Sequence, residues 1–142
     1  MKNIFLLLFF TITLLTSCGT ATGTVKGTLC YPSDYIPAMN VYLKNKETNK
    51  TYSLIIKENQ QTFRFKKILE GNYIAFAYTI TETITDLNNK SSKASGGYTH
   101  AVPCGLTVNC NNHTLINFKV KNGKTTKAID ICDWYGAIVP KE

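Results

Sequence analysis

The sequence contains little arginine and few acidic side chains. Arg64 is its single arginine, and Lys and Arg together number 16 against 9 Asp and Glu, for a formal net charge of +7. Nucleic-acid readers depend on arginine forks for guanine and phosphate, and here the lysines are spread along the chain. We therefore predict no nucleic-acid partner and interpret the lysines as a solvated basic surface. Attraction to anionic lipid headgroups or to an acidic polymer is the alternative.

Several short motifs that mark enzyme classes are also absent. The sequence has no phosphate-binding glycine loop, no H-E-x-x-H and no G-x-S-x-G nucleophile elbow. It has neither a C-x-x-C redox pair nor the close cysteine spacing of structural zinc sites. No segment has a convincing helical periodicity. We therefore expect no helical bundle, no cofactor, no metal and no catalytic residue.

The first 18 residues, MKNIFLLLFFTITLLTSC, have the layout of an export signal. Lys2 precedes an apolar run over residues 4–15, which is shorter than the about 20 residues that a membrane-spanning helix needs. The run ends in LTSC, residues 15–18, which resembles the lipobox of bacterial lipoproteins. An ordinary signal peptide with an incidental cysteine is the alternative.

The lipobox resemblance implies cleavage before Cys18 and acylation of its thiol, and two or three acyl chains suffice for stable membrane attachment. Residues 1–17 are then a signal peptide, residues 18–23 a lipidated cysteine and tether, and residues 24–142 the folded domain. The expected location is the bacterial cell envelope, lipid-anchored, on a periplasmic or surface-facing side.

Four cysteines remain once Cys18 is set aside, and an even number in an exported protein predicts two disulfides. Three connectivities are possible. Cys104 and Cys110 are close in sequence, with Gly105 giving the turn its freedom, so a local pair is the simplest choice. Cys30 and Cys132 then pair across nearly the whole domain. Zinc ligation and redox exchange are the competing uses of these residues.

From residue 23 onward, apolar residues alternate with polar ones between turn-rich segments, a pattern typical of β-strands. The alternating apolar residues are predicted to face a core. They are Val25 and Leu29, then Met39, Val41 and Leu43, then Phe63 and Phe65. Asn122-Gly123 predicts a hairpin between the last two strands. The expectation is an all-β, seven-stranded antiparallel sandwich with a disulfide-pinned insert loop at about residues 81–113.

The segments VKGTLC, IPAMNVYLKN, QTFRFKK and ILEGNYIAFAY resemble the carboxypeptidase regulatory-like domain, an Ig-like/prealbumin-like (transthyretin-like) sandwich, over about residues 23–80. The positions that carry the resemblance are Val25, Gly27, Pro37, Val41, Leu43, Phe63, Phe65, Leu69, Gly71 and Tyr73. The resemblance implies a fold and an accessory role beside other envelope proteins. The segments CYPS, SGGYTH and DWYG also resemble a group of small exported bacterial proteins.

The insert and the chain end contain the residues with the most chemistry. A possible binding surface for a sugar or peptide consists of Tyr98, His100, His113, Trp134 and Tyr135. The alternative is that the aromatic side chains pack in the core. His100, His113 and Asp133 together form a possible metal or acid–base site. The sequence therefore predicts a non-enzymatic binding or structural accessory module, whose partners are the membrane through Cys18 and another envelope protein or a glycan. The alternatives are a small metal-dependent or hydrolytic enzyme and an inhibitor that uses the 95–113 loop.

Overall fold

The computed structural model describes residues 21–85, 89–135 and 138–140, which contain β-strands and no helix. The all-β prediction is therefore confirmed. Nine strands occur in these residues, rather than the seven expected. They are β1 (Thr22–Thr28), β2 (Met39–Asn45), β3 (Thr51–Ile56), β4 (Thr62–Leu69), β5 (Gly71–Thr85), β6 (Ser91–Gly97), β7 (Phe118–Val120), β8 (Thr125–Thr126) and β9 (Asp133–Trp134).

The predicted signal peptide, residues 1–17, and Cys18 lie outside the described residues. Within the described residues, no helix of sufficient length and apolarity to cross a membrane is found. The first strand begins at Thr22, so Thr22 and Gly23 belong to β1 rather than to the predicted tether.

The strands form two sheets. One has the order β4-β1-β8, and the other has the order β3-β2-β5-β6-β9 with β7 also paired to β5. β8 runs parallel to β1, with Thr24 opposite Thr125, whereas the other strand pairs are antiparallel. The expected purely antiparallel arrangement is therefore wrong for this pair.

The two sheets enclose one hydrophobic core, which follows from the period-two alternation of the strands. Met39, Val41 and Leu43 of β2 are each fully buried, and Val25 of β1 faces them from the other sheet. Phe63 and Phe65 of β4 are buried, while Arg64 and Lys66 between and after them are exposed. These inward-facing residues are the ones that the sequence pattern predicts.

Part of the insert that the sequence predicts as a loop is strand. β5 continues to Thr85, and β6 pairs with it, with Tyr78 opposite Ser95 and Thr85 opposite Ser91. Residues 81, 83 and 85 and residues 91–93 are exposed, so this hairpin lacks the apolar alternation by which a strand is recognised. The β-branched residues of TITETIT are the signal that favours a strand here.

The Asn122-Gly123 turn is also different from the prediction. The strands on either side of it do not form a hairpin with each other, because β7 pairs with β5 and β8 pairs with β1. The turn therefore carries the chain from one sheet to the other. A strong local turn signal predicts the turn itself, but the pairing of the flanking strands depends on the rest of the fold.

Two disulfides join Cys30 to Cys132 and Cys104 to Cys110, the pairing expected from the sequence. The first lies where the chain beyond β8 runs beside β1, and the Ile131 N–H donates to the Thr28 carbonyl oxygen over 2.9 Å. Gly27 permits this approach, since a Cβ there would lie 1.9 Å from the carbonyl oxygen of Ile129.

Candidate ligand-binding site

The residues after β6 form a disulfide loop, residues 98–113, which is closed by Cys104–Cys110. Its base is fixed by backbone contacts. Thr99 forms an antiparallel bridge with Leu115, and the Ile116 N–H donates to the carbonyl oxygen of Tyr98 over 2.9 Å. The Ala101 N–H donates to the carbonyl oxygen of Asn112 over 3.0 Å. The loop is therefore attached to the sheet at both of its ends.

A cavity of about 280 Å³ is lined by the disulfide loop, by β9 and by the segment after β1. Cys110 and Cys132 each contribute to its wall, so both disulfides hold this site together. The remaining lining residues are Pro32, Ala101, Leu106, Thr107, His113, Asp133, Trp134 and Tyr135. The wall is thus mainly apolar and aromatic, with His113 and Asp133 as its imidazole and carboxyl groups, a composition typical of small-ligand sites.

A hydrogen-bonded chain of three side chains fixes the polar part of the cavity. The buried Thr99 hydroxyl donates to Asp133 Oδ2 over 2.7 Å, and His113 Nδ1 lies 2.8 Å from the same oxygen. The Asp133 side chain is 5% exposed, whereas that of His113 is 38% exposed. A buried carboxylate therefore orients an accessible imidazole. Its other ring nitrogen, Nε2, has no hydrogen-bond partner within the described residues.

Aromatic rings form another part of the cavity surroundings. Trp134 lies in the core at 7% exposure, and its Nε1 donates to the Ile131 carbonyl oxygen over 3.2 Å. The Tyr31 ring meets the Trp134 ring edge-on, with centroids 5.0 Å apart. Burial raises the pKa of the Tyr31 hydroxyl, and neighbouring Tyr135 and Glu82 act in the same direction. Trp134 is therefore both a core residue and part of the cavity wall.

Two non-glycine residues that line the cavity have a left-handed backbone conformation. Leu106 has φ 56° and Tyr135 has φ 66°, and their side chains are 49% and 55% exposed. Such conformations cost residues of this type on the order of 1–3 kcal/mol and are concentrated at functional sites. Here they hold two apolar side chains against the cavity in partial contact with solvent.

The predicted binding surface is only partly assembled by the fold. His113, Trp134 and Tyr135 line the cavity together with Asp133, whereas Tyr98 and His100 do not. Tyr98 packs against the hydrophobic core, and His100 is exposed. The sequence pattern does not predict a place in this site for Tyr31, Thr99, Pro32 or Leu106. The Tyr31-Pro32 pair in CYPS is a sequence signal that could have indicated Tyr31. Nothing in the sequence indicates the hydrogen bond of Thr99.

The expected acid–base group of His100, His113 and Asp133 is likewise reduced to His113 and Asp133. In the part of the chain that the structure describes, no group of three or more His, Cys, Asp or Glu side chains is arranged to hold a metal ion. The His113–Asp133 pair alone offers two groups that could ligate a metal ion. One of them, Asp133 Oδ2, already accepts two hydrogen bonds.

Comparisons with known proteins show no family for this chain. No family model matches it, and no curated protein matches its sequence. Among solved structures, a leucine-rich repeat protein from Bacteroides thetaiotaomicron VPI-5482, determined by crystallography at 2.80 Å, is similar with a TM-score of 0.44 and 16% identity. The similarity covers 80% of this chain and 14% of that one, so the chain spans a small part of that protein's length.

Proposed function

We propose that this protein is a lipid-anchored, exported β-sandwich that acts as a binding module at the bacterial cell envelope, with the cavity beside the disulfide loop as its ligand site. The cavity is the observation that carries the proposal. It joins an apolar and aromatic wall to one accessible imidazole, and both disulfides contribute to it. This chemistry suits a sugar ring or a peptide side chain, which offers one flat face and a hydrogen-bonding group.

The anchor is supported by LTSC, residues 15–18, and export is supported by the two disulfides, since such bonds persist in oxidising compartments. Replacing Cys18 with Ala removes the only thiol that this signal would acylate. We expect the variant to be unprocessed or mislocalised and to lack acyl chains, as measured by intact mass and membrane fractionation. The same lipidated species in Cys18→Ala would contradict the anchor.

The resemblance to the carboxypeptidase regulatory-like domain leads us to propose a prealbumin-like fold for the sandwich. Its motif positions Val25, Val41, Leu43, Phe63 and Phe65 are buried between the sheets, as such a core requires. The accessory role proposed for the chain agrees with this resemblance. A sandwich of this kind holds its loops on a rigid scaffold, and loops so held commonly form binding sites.

Trp134 gives a direct test of ligand binding, because it is the sole tryptophan of the chain and lines the cavity. Fluorescence excited selectively at tryptophan should change saturably when the protein is titrated with soluble glycan fragments or short peptides from the host envelope. A flat response to both classes would contradict the proposed site.

A second candidate is a small hydrolase, favoured by the Thr99–Asp133–His113 chain of hydrogen bonds. Asp133 would hold the imidazole of His113 in one orientation, and Nε2 would then act as a general base toward a water molecule. Turnover of chromogenic ester and amide substrates that is lost in His113→Ala and kept in His100→Ala would favour this candidate. Stoichiometric zinc or copper in protein purified without chelator would favour its metal-dependent form.

A further inference from the structure

Four segments meet at the end of the sandwich where β1 begins. The Thr22 N–H donates to Asn122 Oδ1 over 3.1 Å, and the Gly123 N–H donates to the Thr22 carbonyl oxygen over 2.9 Å. The Glu70 N–H donates to the Ala21 carbonyl oxygen over 2.9 Å, and the Lys46 N–H donates to that of Asn72 over 2.8 Å. We call this region the proximal end; it consists of residues 21–22, 46–50, 67–72 and 121–124.

The proximal end is rich in lysine. Its basic side chains, all exposed, are Lys46, Lys50, Lys67, Lys121 and Lys124. None of the five forms an ion pair within the described residues. The two carboxylates of this end are already engaged by backbone donors, since Glu47 accepts from the Asn72 N–H and Glu70 from the Asn122 N–H, both over 3.2 Å. Five lysines against two glutamates give the proximal end a net charge of +3.

A concave surface of about 260 Å³ lies at the start of β1 and continues this charge along the first sheet. Thr22, Gly23 and Thr24 form part of it, and Arg64, Lys66, Lys67 and Lys124 supply its cationic side chains. Four cations therefore line a surface beside the first residues of β1.

The opposite end of the sandwich has a mixed charge. Asp34 follows β1, Glu58 follows β3 and Asp130 lies beside Thr28, whose hydroxyl donates to Asp130 Oδ1 over 2.6 Å. Lys57 lies beside Glu58, and Lys90 and Lys93 belong to the β5–β6 hairpin that extends from this end. The cavity belongs to this side, because Pro32 and Cys132 of its wall adjoin Cys30, which follows β1. The excess of lysine over carboxylate is thus found at the end where the chain enters the fold.

We infer that the proximal end binds the anionic headgroups of the membrane in which the protein is anchored, and that this contact holds the cavity away from the bilayer. The inference rests on the proposed lipid anchor at Cys18. Three residues, the interval from Cys18 to Ala21, span at most about 11 Å. That reach is close to the Debye length of about 8 Å at physiological ionic strength, so the lysines lie within range of a charged surface.

The test uses the full lipidated protein reconstituted into two kinds of vesicle, neutral phosphatidylcholine alone and the same lipid mixed with phosphatidylglycerol. An amine-reactive reagent followed by peptide mass spectrometry reports the accessibility of each lysine. We expect a loss of labelling at Lys46, Lys67 and Lys124 on anionic vesicles relative to neutral ones, with no loss at Lys57. The protection should disappear in about 1 M salt, where the Debye length falls to about 3 Å.

Two charge-reversed variants sharpen the comparison. Lys121→Glu/Lys124→Glu should abolish the protection of Lys46 and Lys67, whereas Lys57→Glu/Lys127→Glu, with the same change in charge, should leave it intact. Thermal melts of both variants confirm that the fold is kept. Equal labelling on the two kinds of vesicle would overturn the inference. Protection by a soluble acidic polysaccharide on neutral vesicles would also overturn it, in favour of a polymer ligand.

The intact mass of the reconstituted protein distinguishes a failure of this inference from a failure of the proposed lipid anchor. A lipidated protein without lysine protection contradicts membrane contact and leaves the anchor standing. A protein without acyl chains contradicts the anchor, and the labelling comparison in excess anionic vesicles still decides whether the proximal end binds them.

Discussion

His113 Nδ1 lies 2.8 Å from Oδ2 of Asp133, and this contact joins the disulfide loop to the last strand. The two residues are 20 positions apart in sequence, and Asp133 also accepts the buried hydroxyl of Thr99. One carboxylate thus links β9, the base of the loop and the imidazole that lines the cavity. The geometry of the cavity depends on it.

Asp133→Asn should destabilise the protein by about 1–3 kcal/mol, because one neutral amide replaces a carboxylate that accepts two hydrogen bonds in a buried position. The substitution keeps the shape of the side chain, so the loss reports the hydrogen bonds rather than packing. Denaturant unfolding measures it. Asp34→Asn, at an exposed position, is the control, and equal midpoints for the two variants would contradict the assigned role.

The two disulfides should contribute unequally to stability. The chain-entropy model gives about 4.7 kcal/mol for closing a loop of the size of Cys30–Cys132 and roughly 2 kcal/mol for one of the size of Cys104–Cys110. The sequence separations are 102 and 6 residues. The Cys30→Ala/Cys132→Ala variant should therefore melt well below Cys104→Ala/Cys110→Ala under oxidising conditions. A larger drop for the short loop would reverse the assigned roles.

Gly96→Ala should cost about 1–3 kcal/mol through overpacking. A Cβ at Gly96 would lie 2.6 Å from the Trp134 ring, which packs directly on this backbone position. The fluorescence of Trp134 should change in the same variant, because its indole must shift. Ser95→Ala, at the preceding position of β6, is the control. An unchanged melting temperature in Gly96→Ala would contradict the packing of the indole on β6.

Stability should fall in acid partly through Glu47. Hydrogen bonds from Asn72 hold the pKa of this carboxyl below its usual range. A lowered pKa in the folded state means that the stabilisation is present above the unfolded pKa and is lost as pH falls through the folded pKa. Glu47→Gln should therefore flatten the acid limb of a plot of stability against pH. An acid limb identical to that of the unchanged protein would contradict this contribution.

Much of the sheet core could be predicted because alternation of apolar residues is a local signal. Val25, Met39, Leu43 and Phe63 show it, and all are buried. The long hairpin of β5 and β6 was missed because its outer half is exposed and has no apolar face to reveal it. The parallel pairing of β8 with β1 depends on the whole fold, and no local sequence pattern encodes it.

The site could be predicted only in part for a related reason. His113, Trp134 and Tyr135 stood out as chemically capable residues beside cysteines, and the fold brings them together at one cavity. His100 stood out equally, yet it is exposed and does not line that cavity, and no local pattern distinguishes the two histidines. Thr99 itself looks like any strand threonine until its hydroxyl is seen to donate to Asp133.

The measurement that tests the central claim most directly is the tryptophan fluorescence titration repeated on two matched histidine variants. His113 lines the cavity and His100 does not, and the chain has no other histidine. For whichever envelope glycan or peptide gives a saturable change, His113→Ala should weaken binding by about tenfold or more, the loss of about 1.4 kcal/mol or greater. His100→Ala should bind like the unchanged protein. Equal affinity in all three proteins, or a loss confined to His100→Ala, would contradict the assignment of this cavity as the ligand site.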